Sequence, residues 1–396
     1  MSTQKSRSKK ILPGLLILGL LLLLGSPFVH WAWLPEMPLQ LTIVDKTVPE
    51  RTFREHVALI WSLNHFKVPH PDGRSWNKET DYRGYTPEDP VRNKPAKAED
   101  LQAADLKGKD LLFVADTYGV YSQDKAEARR EVAPDYSRKI YGGFDDREVG
   151  LIENFVGSGK ALIAEFNTFA SPTKGAARDR LETLLGLNWT EWSGRFFEEL
   201  SHPTEIPAWA RRNWKKQTGK DWAFKGPGFL FVHENSRVVV LEENKEVHPE
   251  GLRMFKTSTH RLTNGMGTGV AFHYWFDILK ALPGTEVLAE YRLDLTQSGA
   301  ALLSKEGIPH QFPAVILKEK PSLRLYLAGD ASDNALDLGS EAWSGRQSWF
   351  KYWPFDNPNA EQIDFFWRIY VPLLRNVFAE LSQTYHPTSG GAHGSP

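Results

Sequence analysis

Three apolar segments of this chain run into a carboxylate where a buried strand would ordinarily just stop. DLLFVAD ends at Asp116, ALIAEF places Glu165 after four apolar residues, and LYLAGD ends at Asp330. A carboxylate at the mouth of a hydrophobic strand is costly unless it is paired or solvated. Two carboxylates held about 5–10 Å apart can divide acid and base or nucleophile roles, as in glycoside hydrolysis. Burial and mutual repulsion then raise the pKa of one of them. In an open α/β sheet, ligands collect at the carboxyl ends of the strands. If these strands are parallel neighbours, Asp116, Glu165 and Asp330 meet in one crevice and are the candidate catalytic residues. Taken singly, each carboxylate could instead cap a helix or pair with an arginine.

Other polar and aromatic residues could line the same crevice. DTYGVY puts Tyr118 and Tyr121 beside Asp116, and tyrosine offers a sugar both a flat apolar face and a hydroxyl. Asn167 follows Glu165 by two positions, and GDASDN clusters Asp333 and Asn334 behind Asp330. In WTEWSGRFFEEL, Trp192 is a stacking candidate. Arg195 could meet an anionic substrate, a strand-end carboxylate, or Glu198 and Glu199. His273 in FHYWFD is either a ligand contact or a hydrogen-bonded core residue. YGGFDD is either a ligand loop or a flexible approach to a helix capped by Asp145.

Several chemistries are excluded or disfavoured. The chain has no cysteine, which rules out disulfides, thiolate zinc sites and a cysteine nucleophile. GSGK lies after a helix and before a strand, the reverse of a phosphate loop, and its glycines act as a helix C-cap. GxSxG and HExxH are missing, and the spacing in GDASDN is not that of an EF-hand, although its oxygens would suit calcium or magnesium. No metal and no cofactor are expected. A net charge of −1 over 396 residues gives no electrostatic reason to expect nucleic acid.

The elements that must position these residues follow from the apolar pattern. Strands are expected at Leu39–Asp45, Leu111–Asp116, Ala161–Glu165 and Leu323–Gly329, in one mostly parallel sheet. Helices are expected in ERTFREHVALIWSLNHF, DDREVGLIENFV, AARDRLETLLGL and AEQIDFFWRIYVPLLRNVFAEL. Strand–helix alternation of this kind builds a doubly wound α/β fold. Residues 66–98, polar and rich in Gly, Pro and Asp, read as a long ordered loop. Residues 189–320 read as a mixed α+β insertion containing the hairpin GFLFVHENSRVVVLEE and a strand in TGVAFHYWFDIL. The α/β domain therefore spans 36–188 and 321–383, with a disordered tail at 384–396.

The N-terminus carries a different signal. Lys5, Arg7, Lys9 and Lys10 precede a charge-free stretch from 11 to 35. About 20 apolar residues cross a bilayer, and the basic flank of residues 1–10 favours a cytoplasmic N-terminus. No small-x-small cleavage site follows Gly25-Ser26, and PFVHWAW reads as an interfacial aromatic collar. The expectation is an uncleaved signal-anchor whose helix binds the membrane, with the bulk of the chain extracytoplasmic.

The glycine-capped helix before ALIAEF, together with EVLAEY, FPAVI and LYLAGD, resembles the class I glutamine amidotransferase-like superfamily. That superfamily includes ThuA-like proteins and the trimerisation domain of some β-galactosidases. The resemblance implies the same doubly wound fold over half of the outer domain. Amidotransferases carry a cysteine nucleophile on the sharp turn after this kind of strand. Here Glu165-Phe166-Asn167 occupies that neighbourhood, so glutaminase chemistry is not expected. Fold alone assigns no other function. Two functions remain open. One is binding or processing of an envelope or extracellular glycan, processing making the chain a carbohydrate-active hydrolase. The other is a non-catalytic protein-interaction or structural module of the cell envelope.

Overall fold

In a computed structural model, residues 5–128, 137–169, 172–202, 205–333, 340–345 and 360–387 are described. The candidate Asn334 and the tail from 388 onward lie outside them.

In chain order the elements are α1 (Lys5–Trp33), β1 (Leu41–Asp45), α2 (Arg54–His65), β2 (Arg83–Thr86), β3 (Lys97–Ala98), α3 (Ala103–Leu106) and β4 (Leu111–Asp116). They continue with β5 (Val120–Tyr121), α4 (Ser122–Ala128), β6 (Lys139–Tyr141), α5 (Asp146–Gly157), β7 (Ala161–Ala164), α6 (Gly175–Leu185) and β8 (Leu187–Phe197). Next come α7 (Ala208–Thr218), β9 (Gly228–His233), β10 (Val238–Glu242), β11 (Val247–Lys256), β12 (Val270–Ala271), β13 (Trp275–Ala281) and β14 (Glu286–Leu295). The chain closes with α8 (Gln297–Lys305), β15 (Gln311–Lys318), β16 (Arg324–Leu327), α9 (Ala360–Phe365), a π-helical turn (Phe366–Tyr370) and α10 (Val371–Tyr385).

Ten strands form the central sheet in the order β12-β11-β14-β15-β16-β7-β4-β1-β2-β3. The stretch from β16 to β2 is parallel throughout. These strands are apolar because both their faces are covered: every residue of β1, β4, β7 and β16 is buried. The chain leaves β1 for β2 on one side, then returns for β4 on the other. With right-handed crossovers this puts α2 and α5 on opposite faces and makes the β1–β4 gap a topological switch point. The mixed α/β architecture with a parallel core is therefore present.

Antiparallel strands β15, β14, β11 and β12 extend the sheet beyond β16. A second antiparallel sheet, β10-β9-β8-β13, packs beside it. Phe276 of β13 joins the two layers, with ring centroids 5.6 Å from Phe312 and 6.0 Å from Tyr291 and Phe231.

Two local expectations need correction. Residues 66–98 are not all loop, because β2 pairs in parallel with β1 at Val44 and Asp45. Four residues containing an arginine and a glycine leave no apolar pattern to read. Gly84 is required there: at φ 145°, a Cβ would lie 1.5 Å from the Asp45 carbonyl oxygen. TGVAFHYWFDIL is likewise not one strand. It splits into β12 and β13, which belong to different sheets.

Candidate functional site

The four adjacent strands β16, β7, β4 and β1 bring their carboxyl ends to one edge. Asp45 and Asp116 are direct cross-strand partners. Glu165 follows β7, whose Ala164 pairs with both Val114 and Tyr326. Asp330 follows β16, its backbone N–H donating to the Trp275 carbonyl at 2.9 Å. The row expected from the sequence thus gains a fourth member, Asp45, at the switch point.

Each carboxyl has a distinct environment. Asp116 accepts from the Thr47 hydroxyl (2.6 Å), the Tyr118 backbone N–H (2.7 Å) and the Asn167 amide (3.4 Å). Burial, then the facing Asp45, pushes it up to about 8. Asp45 accepts from the Thr47 backbone N–H at 2.9 Å and lies 2.6 Å from His56 Nδ1. The other His56 nitrogen, Nε2, donates to the Lys78 carbonyl at 2.8 Å.

Glu165 is only 1 % exposed, and both its oxygens are engaged. Ser332 Oγ donates at 2.6 Å and Tyr370 OH at 2.8 Å. Burial raises its pKa to about 7, with those hydrogen bonds opposing. Tyr370 is the last residue of the buried π-helical turn. Such turns recur at functional sites.

Asp330 is the only partly exposed member of the group. Burial and the charges of Asp333, Asp116 and Glu165 push it well above the usual carboxylate range. Asp333 accepts from Tyr274 OH at 2.8 Å and lies 3.4 Å from Arg54 Nε. Burial raises it, while Arg54, the Tyr274 hydrogen bond and Arg195 pull it down. Glu55, at the start of α2, is raised by burial and then by Asp45 and Asp333. Asp45, Glu55, Asp116, Glu165, Asp330 and Asp333 thus form one electrostatic group. Asp116 and Glu165, pushed up to about 8 and about 7, can hold a proton near neutral pH, so the row combines carboxyl donors with carboxylate acceptors.

The turn after β7 holds Asn167 at φ 65°, a left-handed conformation that asparagine tolerates better than most residues. Its backbone N–H donates to Asp277 Oδ2 at 3.3 Å. Asp277, on β13, also accepts from Ser193 Oγ (2.8 Å) and Tyr326 OH (2.6 Å), and burial raises it to about 6.

The remaining candidates divide. Tyr118 and Tyr121 lie 4.9 Å apart by ring centroid beside Asp116. Their loop is clamped rather than open: a Cβ on Gly119 would come within 2.1 Å of the Tyr141 carbonyl oxygen. YGGFDD is therefore not a flexible approach. It is pressed against DTYGVY, and Asp145 caps α5 by accepting from the Glu148 N–H at 2.8 Å. Arg195 stacks on Phe197 and Tyr274 at 4.6 and 4.8 Å and acts on Asp333. Trp192 is only 3 % exposed, its ring edge-on to His233, so it packs in the core rather than offering a stacking face. His273 stacks on Phe196 at 4.1 Å among packing residues. Among the described residues, no group of three or more His, Asp or Glu is arranged to hold a metal ion.

Asp45 was open to the same strand-end argument as its neighbours, since LTIVD also closes on an acid. Arg54, Glu55, His56, Ser332, Tyr370 and Asp277 carry no sequence signal of their own. They join the site through tertiary contacts spanning as many as 205 residues.

No family model and no curated protein sequence matches the chain. Among solved structures it is similar to a putative ThuA-like protein from Bacteroides uniformis, at 10 % identity over 77 % of this chain and 88 % of that one, with a TM-score of 0.31. A cytoplasmic protein from Salmonella typhimurium matches at 12 % identity over 71 % and 75 %, with a TM-score of 0.29. A β-galactosidase from Bacillus circulans matches at 11 % over 59 % of this chain, with a TM-score of 0.28. The chain spans only 22 % of that β-galactosidase's length.

Proposed function

We propose that this chain is a membrane-anchored extracytoplasmic protein whose strand-end crevice binds an envelope or extracellular glycan. The observation that carries the reading is the row of Asp116, Glu165 and Asp330 at the carboxyl ends of three neighbouring parallel strands beside the switch point, with Asp330 partly exposed. Asp330, Asn167 and the Tyr118–Tyr121 pair are the groups placed to meet sugar hydroxyls and ring faces. Binding is favoured over hydrolysis by one feature: Glu165 has both oxygens taken by Ser332 and Tyr370 and no exposure to spare. It therefore acts as a positioning residue. The topology is supported by the apolar helix Pro13–Trp33, with a mean hydropathy of 2.0, and by the basic residues before it.

The test is a calorimetric titration of the full chain in detergent with neutral oligosaccharides from an envelope digest, beside Asp330→Asn. A tenfold loss in the variant, equal to about 1.4 kcal/mol, is expected. Equal affinity in the two proteins removes Asp330 from the site. Failure of every oligosaccharide to bind favours the protein-interaction module.

A further inference from the structure

The anchor helix does not leave the body as a free tether. Its last two turns are held by two separate parts of the folded domain. Trp31 Nε1 donates to the His65 carbonyl at 2.9 Å, at the C-terminus of α2. Lys67 Nζ donates to the carbonyls of Ala32 (3.0 Å) and Leu34 (2.7 Å), and its ammonium lies 5.4 Å from the Trp31 ring centre. On the other side sits the segment 340–345, more than 300 residues away in sequence. Trp343 stacks on Phe28 with ring centroids 5.9 Å apart, the Ser344 N–H donates to the Pro27 carbonyl at 3.3 Å, and Ser344 Oγ meets His30 Nδ1 at 2.7 Å. The two supports are also joined to each other. His65 Nδ1 donates to the Glu341 carbonyl at 2.7 Å, and Trp61 Nε1 donates to Ser340 Oγ at 3.1 Å.

The depth of these contacts follows from helix geometry. The apolar span Pro13–Trp33 has 21 residues, so at 1.5 Å per residue it is about 31 Å long, close to the ~30 Å of bilayer hydrocarbon. Phe28 stands five residues inside its outer end, about 7–8 Å below Trp33. Phe28 lies within the aromatic collar PFVHWAW, so a ring stacked on it is at the depth of that collar. Tryptophan favours this zone because its ring is apolar and its N–H is polar. The segment's backbone is also tied to the helix, since the Ser344 N–H donates to Pro27.

We propose that the segment 340–345 is a second membrane contact, with Trp343 seated in the bilayer interface beside the anchor, and that this contact fixes the body on the membrane. The partner is the phospholipid interface itself. The anchor grips the C-terminal end of α2, whereas Glu55 and His56, at the N-terminal end, belong to the crevice. The two ends are about 17 Å apart along the helix, so the crevice opens on the side away from the lipid. A ligand would then be met above the bilayer surface. This inference rests on the membrane-anchor reading above.

The absence of native cysteine permits a clean labelling experiment. The full chain is reconstituted in phosphatidylcholine vesicles with the environment-sensitive fluorophore NBD on a single cysteine at Val29→Cys, Trp343→Cys, Ser344→Cys or Thr52→Cys. Quenching by nitroxide-labelled lipid is compared with quenching by aqueous cobalt. The expected result is lipid quenching at 29, 343 and 344, and aqueous quenching at 52. Lipid quenching at 29 with aqueous quenching at both 343 and 344 overturns the second contact and leaves the anchor standing. Aqueous quenching at 29 overturns both. Lipid quenching at 52 overturns the orientation. Using 343 and 344 in parallel guards against one substitution disturbing the segment.

Discussion

Replacing Glu165 by glutamine tests whether the strand-end carboxyls are held as the geometry implies. In the folded chain, burial lifts this group from an ordinary 4.5 to about 7. Between those values the native state binds more protons than the unfolded state, so stability falls as pH rises and levels off above the folded pKa. At 1.36 kcal/mol per pH unit, the total is about 3 kcal/mol. Glutamine keeps the size and shape, cannot ionise, and finds in Ser332 and Tyr370 two hydroxyls that can accept from its amide. A constant offset from the amide's fit is set aside by comparing pH values. The stability difference between variant and parent should therefore shift by about 3 kcal/mol in favour of glutamine from pH 4.5 to pH 8. Urea unfolding of both proteins in detergent, followed by circular dichroism at several pH values, measures it. A difference that stays flat across that range would refute the claim that Glu165 is buried and pushed up.

Three further outcomes are expected. Lys46, 1 % exposed, is bonded to both oxygens of Glu148 at 2.7 and 2.8 Å and to Asp100 at 3.2 Å. Lys46→Met should cost roughly 3–5 kcal/mol in urea unfolding, because it strands a buried carboxylate; a loss under about 1 kcal/mol would mean the pair is solvated. Gly84→Ala should cost about 2 kcal/mol or more through a backbone clash with Asp45, read as a lowered Tm, and an unchanged Tm would contradict the β1–β2 pairing. Protease shaving of intact cells should remove most of the chain and leave a membrane-bound stub; a freely soluble product starting near residue 30 would replace the anchor with a cleaved signal.

Much of the core was legible because buried parallel strands are continuous apolar runs. Leu111–Asp116 appears in the fold at its expected bounds, and the other three site strands differ only at their ends. The acids at their mouths were legible for the same reason, since nothing about core packing asks for them. What escaped was set by partners rather than pattern. β2 has only two residues in register with β1, too short to leave a period. The apolar alternation of β14 and β15 says nothing about which sheet they join, and both extend the central one. Trp192 was a stacking candidate by residue type alone, yet it is buried, with its ring edge-on to His233 of the neighbouring strand β9. Tyr370 and Asp277 reach the site only because α9, the π-helical turn and the second sheet fold over it.

Hydrogen–deuterium exchange of the full chain, with and without a saturating envelope oligosaccharide, tests the glycan-binding crevice most directly. Protection confined to the loops after the four site strands, at residues 45–56, 116–121, 165–169 and 330–333, is the predicted result. Protection elsewhere, for example around the charged cleft of about 460 Å³ between Arg74, Arg83 and Lys109, or no protection from any oligosaccharide, would contradict it.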